Sequence, residues 1–185
     1  MAKLDDARAE GCWRPILLGT MADQALAAVD AIAESVLSIT SLRGERNSSL
    51  SRGQAGLALL YAWLAPTGRV PQADVVAWQY LDQAIDAVST QSMKPSLYSG
   101  FTGVALAAEL VDHTLHPDAG DRNEAVDDAL LRLLSQSNRW PAPHDLVEGV
   151  TGLGVYALQR YPRPRAIECL RRIVEWLHEH AQHDE

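Results

Sequence analysis

The stretch that decides the fold is S-L-Y-S-G-F-T-G-V-A at residues 96–105, because related sequences occur on either side of it. S-L-S-R-G-Q-A-G-L-A occupies residues 49–58, and D-L-V-E-G-V-T-G-L-G occupies residues 145–154. All three fit the pattern [S/D]-L-x-x-G-x-x-G-[L/V]-[A/G]. Their first glycines are separated by 47 and 49 residues, a period typical of helical-hairpin arrays. The chain therefore contains a threefold internal repeat.

Two kinds of helical segment alternate with these copies. The segment before each copy is amphipathic, with apolar residues at steps of three and four and acidic residues off that stripe. In the first repeat the stripe comprises Ala22, Ala25, Val29, Ile32 and Val36. The segment after each copy is almost free of charge, and a helix that is apolar on every side is buried.

The alternation predicts an all-α fold, an (α/α) array of outer amphipathic helices around inner apolar ones. We expect a single domain over residues 1–185, with repeat units at about residues 21–66, 72–117 and 119–162 and a further outer helix at 164–182.

The paired glycines are predicted to be structural. Glycine permits unusual backbone angles at a turn and lets neighbouring helices approach closely. Because all three pairs share one phase of the repeat, the turns should line one rim, where helix N-termini with unpaired N–H groups converge. The six positions are Gly53, Gly56, Gly100, Gly103, Gly149 and Gly152.

Composition excludes several classes of partner. The 185 residues carry a net charge of -8 and contain no basic run, which argues against nucleic acid and against anionic membrane surfaces. No apolar stretch is long enough to cross a bilayer, and the N-terminus lacks the features of a signal peptide. Cys12 and Cys169 have no metal-like spacing, so we expect a reducing cytoplasm and no metal site on this chain.

Three polar residues of the third copy are candidates for a functional site. Asp145 stands where the other copies have serine, and it either caps the turn or acts in catalysis or substrate orientation. His144 beside it either holds that carboxylate or is solvated. Glu148 is a candidate for substrate binding. The spacing of His178, His180 and His183 does not place the first two imidazoles on one helix face, which favours a solvated tail without a site.

The three Gly-rich copies, and H-D-L-V-E-G-V-T-G-L-G at residues 144–154 above all, resemble the N-terminal half of the lanthionine synthetase C-like (LanC-like) cyclases. The resemblance implies a toroid of seven inner helices ringed by seven outer ones. It also implies an enzyme that adds peptide cysteine thiols to dehydrated Ser or Thr residues to form thioether rings. Asp145 matches the family's conserved aspartate. Zinc, held by two cysteines and a histidine, is implied for the complete family site.

This chain contains none of the family's zinc motifs, so we expect it to bind no zinc and to be inactive alone. It accounts for about three and a half of the seven hairpins, an incomplete ring with two unpaired edges. The chain is then a truncated piece, a half that pairs with a C-terminal cyclase half, or a half that associates with itself. A precursor peptide and a dehydratase are the other implied partners.

Whether the chain is an enzyme stays open. The first alternative is a non-catalytic α/α module that binds a peptide or a biosynthetic partner. The second is another α/α toroid enzyme such as a glycosidase, in which Asp145 and Glu148 would supply the carboxylate pair. The Gly-rich repeat is not explained by that chemistry, and fold alone does not settle function.

Overall fold

A computed structural model describes residues 15–40, 47–136 and 144–181 of the chain. Within these ranges there are seven α-helices, a short 3-10 turn at Ala65–Thr67 and no β-strand, which confirms the prediction of an all-α fold. The helices are α1 Thr20–Thr40, α2 Gln54–Leu64, α3 Ala73–Thr90, α4 Phe101–Leu115, α5 Glu124–Gln136, α6 Val150–Gln159 and α7 Pro164–Ala181.

The chain divides into two compact units, Met1–Gly44 and Glu45–Glu185. The described part of the first unit contains α1, in which Ala33 is buried while Met21 and Ile32 are exposed. The pairing of α1 with α2 in a first hairpin therefore stays a prediction. No helix in the described ranges combines the length and the apolar character needed to cross a membrane.

The second unit shows the expected alternation of inner and outer helices. The inner helices α2, α4 and α6 pack in sequence, α2 on α4 and α4 on α6. Outer helix α3 packs on α2 and α4, and outer helix α7 packs on α5 and α6. Every residue from Thr102 to Ala108 of α4 is buried, as expected for a helix that is apolar on all sides. How much of a ring these helices form stays a prediction.

A buried arginine joins three segments of the second unit. Arg160 follows α6 and exposes none of its side chain. Its guanidinium lies 2.6 Å from carboxylate oxygens of Glu109, Asp121 and Asp127, and the Tyr156 hydroxyl donates a hydrogen bond to Asp127. Burial alone would lower the pKa of Arg160, but hydrogen bonds to Asp127 and Asp121 raise it above its ordinary value. The guanidinium therefore stays charged and fixes the end of α6 against α4 and α5.

Replacing this arginine tests how much the cluster stabilises the fold. In Arg160→Met the carboxylate of Asp127, of which 4% is exposed, loses its buried counter-charge. We expect the free energy of unfolding to fall by about 3–5 kcal/mol in chemical denaturation. The matched control is Arg165→Met, which removes an exposed ion pair with Asp128 and should cost less than about 1 kcal/mol. Equal losses in the two variants would contradict the prediction.

Candidate functional site: the glycine rim

Three turns lie side by side at the start of the inner helices. The Ser51 N–H donates a hydrogen bond to the Tyr98 carbonyl at 3.1 Å, and the Tyr98 N–H donates one to the Val147 carbonyl at 3.2 Å. These three residues occupy the same position of the repeat. We call this row of turns, residues 47–53, 94–100 and 144–149, the glycine rim.

The second glycines of the second and third copies let adjacent turns pack against each other. A Cβ on Gly103 would press against the carbonyl oxygen of Leu97 in its own turn and lie 3.0 Å from the Cβ of Leu50 in the preceding turn. A Cβ on Gly152 would lie 2.8 Å from the Cβ of Leu97. The leucine of one turn thus rests on the second glycine of the next, and any side chain there would separate them.

The first glycines of the first two copies are likewise required because a side chain would not fit there. Gly53, Gly100 and Gly149 have φ angles of -137°, -112° and -101° with extended ψ, a conformation open to every residue. The expectation of unusual backbone angles is therefore wrong at these positions. A Cβ on Gly53 would lie 2.6 Å from the Ser49 nitrogen, and one on Gly100 would lie 2.5 Å from the Ser96 nitrogen. Close approach within the turn is what Gly53 and Gly100 require.

The turns also provide hydrogen-bond acceptors for backbone N–H groups at the N-termini of α2 and α4, which we expected to be unpaired. The Gln54 N–H donates to the Asn47 carbonyl at 2.8 Å, and the Phe101 N–H donates to the Lys94 carbonyl at 3.0 Å. The first amides of α2 and α4 are thus paired within the rim. The expectation that they converge there as unpaired donors is wrong for these amides.

Asp145 caps the third turn. Its Oδ1 accepts hydrogen bonds from the backbone N–H of Val147 at 2.6 Å and of Glu148 at 2.8 Å. These bonds, the one from Glu148 first, hold the pKa of Asp145 below its ordinary value. Ser49 plays the same part in the first turn, where its hydroxyl accepts the Arg52 N–H at 3.3 Å. Unlike Ser49, Asp145 places an ionised carboxylate on the exposed surface of the rim.

Glu148 and His144 connect the third turn to its surroundings. Glu148 Oε1 accepts a hydrogen bond from the Ser99 hydroxyl at 2.6 Å, and the Ser99 and Ser96 hydroxyls lie 2.9 Å apart. Glu148 therefore links the second and third turns. The main-chain carbonyl of His144 accepts a hydrogen bond from the Thr151 hydroxyl, which ties the segment before Asp145 to the first turn of α6.

The described residues do not fit the zinc that the resemblance implies for the family. Among them, no group of three His, Cys, Asp or Glu side chains is placed to hold a metal ion. The Cys169 thiol is buried in α7, 4.0 Å from the Asp127 carbonyl, and burial raises its pKa to about 12. It is a protonated thiol at neutral pH and a poor metal ligand. Cys12 and His183 lie outside the described residues.

Sequence reasoning missed two features. Ser99 was not singled out, although an alignment of the three copies places it with Arg52 and Glu148, one residue before the first glycine. Arg160 was also missed, because its partners lie 33 to 51 residues away in the chain. The sequence does carry one signal for Arg160, because this charged residue directly follows an inner helix that has no charge.

Comparison with known families identifies a match. The family model described as "Lanthionine synthetase C-like protein" matches residues 44–185, a range that contains all three turns of the glycine rim. No curated protein matches the chain.

Adding one methyl group at Gly103 or Gly152 should force neighbouring turns apart. We expect Gly103→Ala and Gly152→Ala each to lower the free energy of unfolding by about 1–3 kcal/mol, the usual cost of overpacking, in chemical denaturation. Gly120→Ala is the matched control, because nothing lies within 4 Å of a Cβ built there. Its effect should stay within about 0.5 kcal/mol. Loss of stability of the same size in all three variants would refute the packing role.

The cap at Asp145 predicts a pH-dependent effect. Asp145→Ala should lower the thermal midpoint at neutral pH, whereas Asp145→Ser should retain much of the cap, as Ser49 does. Because folding lowers the pKa of Asp145, its contribution is complete above the ordinary value of 3.8 and is lost as the pH falls through the lowered value. The difference between wild type and Asp145→Ala should therefore shrink below pH 3.8 in thermal melts. A constant difference would contradict an ionised cap.

Proposed function

The chain belongs to the lanthionine synthetase C-like family, and from this premise we propose that its glycine rim binds and orients a dehydrated, cysteine-containing precursor peptide for thioether formation. In that reaction the cysteine sulfur bonds to the β-carbon of a dehydrated Ser or Thr. The thiol loses its proton, and the neighbouring α-carbon gains one. The observation that carries the proposal is the ionised carboxylate of Asp145, held in a fixed orientation on the exposed rim.

The environment of Asp145 suits some roles in this reaction better than others. Its lowered pKa makes it a carboxylate at neutral pH, which accepts hydrogen bonds but is a weak base and a poor proton donor. Two backbone N–H groups already fix Oδ1, so the group needs no rearrangement when a peptide arrives. We assign Asp145 to orienting the peptide, and we leave deprotonation of the thiol and protonation of the α-carbon to other groups.

Activation of the thiol is not assigned to this chain. When bound in the family's site, zinc lowers the pKa of a cysteine thiol so that the thiolate attacks. The described residues do not fit that metal. We also propose that the protein acts in the cytoplasm, because the precursor's cysteines must stay reduced until they react.

The two alternatives differ in their support. A non-catalytic binding module would use the same rim without turnover, and it is separated from a cyclase by the experiment below. Glycoside hydrolysis by Asp145 and Glu148 has less support. Both carboxylates already accept hydrogen bonds within the rim, and the lowered pKa of Asp145 is the reverse of what a general acid needs.

The proposal is tested with a synthetic peptide that contains one dehydroalanine and one cysteine and carries a fluorescent label. We expect the 185-residue chain to bind it in an anisotropy titration, and Asp145→Ser, which keeps a cap but removes the charge, to bind about tenfold more weakly. Asp128→Ser is the control, because it removes an exposed carboxylate from α5, away from the rim. Equal affinity in Asp145→Ser and wild type would refute the role of the carboxylate.

The same mixtures separate a cyclase from a binding module. Ring formation is an isomerisation and leaves the peptide mass unchanged, so the readout is the loss of alkylatable thiol in mass spectrometry. Thiol loss faster than in peptide alone supports a cyclase. Binding without faster thiol loss supports the module, and no binding at all overturns the proposed role of the rim.

A further inference from the structure

The inner helices of the second unit share one face that is covered on two of them and open on the third. This face holds the residues two, six and nine positions after the first glycine. On α2 all three are buried, and on α4 they are buried or half-buried, whereas on α6 all three are exposed. On α6, Val155 is 36% exposed and Leu158 is 63% exposed. The residues are Ala55, Leu59 and Ala62 on α2, Thr102, Leu106 and Glu109 on α4, and Thr151, Val155 and Leu158 on α6.

A second face of the inner helices, about 100° around each helix from the first, shows the reverse trend. It holds the residues three, seven and ten positions after the first glycine. On α4 the first two of these, Gly103 and Ala107, are buried. On α2 the corresponding Gly56 and Leu60 are only half-buried, and Trp63 is 57% exposed. Apolar residues are therefore exposed at the two places where the row of inner helices has no described neighbour.

The contacts between successive turns predict what each open face fits. Leu50 packs on Gly103 and Leu97 packs on Gly152, but Leu146, the next leucine in this series, is 43% exposed. At the other end, a Cβ on Gly56 would meet only its own turn. If a fourth turn packed on the third in the same way, Leu146 would lie on a glycine equivalent to Gly56.

The charges of the turns agree with this step. The residues one position before the first glycine contact each other between the second and third turns, where the Ser99 hydroxyl donates to Glu148. The corresponding residue of the first turn is Arg52, which is exposed. Continuing the series beyond the third turn would place Glu148 next to an arginine, its opposite charge.

We propose that two copies of this chain associate head to tail through these faces. The tail face of one copy, Leu146, Glu148, Val155 and Leu158, packs on the head face of the other, Arg52, Gly56, Leu60 and Trp63. Such an interface is heterologous, so each copy keeps one free face of each kind unless the assembly closes. The backbone ladder of the rim does not extend across it, because Asp145 already accepts the Val147 N–H.

The test is sedimentation velocity of the 185-residue chain over a range of concentrations. We expect species larger than the 20.2 kDa monomer, and about tenfold or more weaker association in Leu158→Glu and in Trp63→Lys. An equal mixture of the two variants should recover complexes of two copies, because each variant keeps the face that the other has lost. A head-to-head or tail-to-tail contact would respond to only one of the two variants.

Two further variants keep the result interpretable. Val75→Glu places the same charge on α3 at a residue that is 47% exposed and belongs to neither face, so it should leave association unchanged. Arg52→Glu changes only an exposed charge and should weaken association while the far-UV circular dichroism stays that of wild type. A monomer at every concentration, a mixture that stays monomeric, or an equal effect of Val75→Glu would overturn the proposal.

Discussion

The packing of a leucine on a glycine in the next turn sets the spacing of the inner helices. Leu50 on Gly103 and Leu97 on Gly152 bring successive turns close enough for the Ser51, Tyr98 and Val147 backbones to hydrogen-bond. That distance in turn decides which side chains of α2, α4 and α6 are buried. A methyl group on Gly103 or Gly152 would change both the spacing of the turns and the burial of these side chains. Glycine is therefore required at these positions because of space and not because of unusual backbone angles.

A constant scaffold carries positions whose chemistry changes from turn to turn. The leucine and the two glycines recur in all three turns, whereas the capping position carries Ser49, Ser96 or Asp145. The cap is retained at the first and third turns, but only the third adds a carboxylate. This separation allows one position of the rim to gain a charge without altering how the turns pack, and function is expected at such variable positions on a fixed frame.

The parts of the structure that the sequence predicted are those that depend on local periodicity. Apolar steps of three and four residues identified the outer helices, and the uncharged stretch after each glycine pair identified α2, α4 and α6, because helix burial follows from the pattern of one segment alone. The cap at Asp145 was foreseen as one alternative because serine and aspartate share that chemistry. Its proposed role towards a substrate remains a prediction.

Contacts between distant segments could not be derived in this way. The hydrogen bond from Ser99 to Glu148 spans 49 residues, and although the two residues share a position of the repeat, that position alone does not predict their contact. The sequence places the acidic residues of the outer helices off the apolar stripe, yet the Asp127 side chain is almost fully buried against Arg160. The pairing of the first amides of α2 and α4 depends on how each turn folds back, which the spacing of glycines does not reveal.

The cluster around Arg160 also constrains how this chain can change over generations. The Arg160 guanidinium pairs with Glu109, Asp121 and Asp127, which come from α4, the segment before α5, and α5 itself. Arg163 shares the carboxylates of Glu109 and Asp121. At position 160, lysine would offer a single ammonium in place of a planar fork, and loss of the arginine would leave the buried Asp127 carboxylate without its counter-charge. We therefore expect the four positions of Arg160 and its carboxylate partners to coevolve, so that a substitution at one of them is accompanied by substitutions at the others.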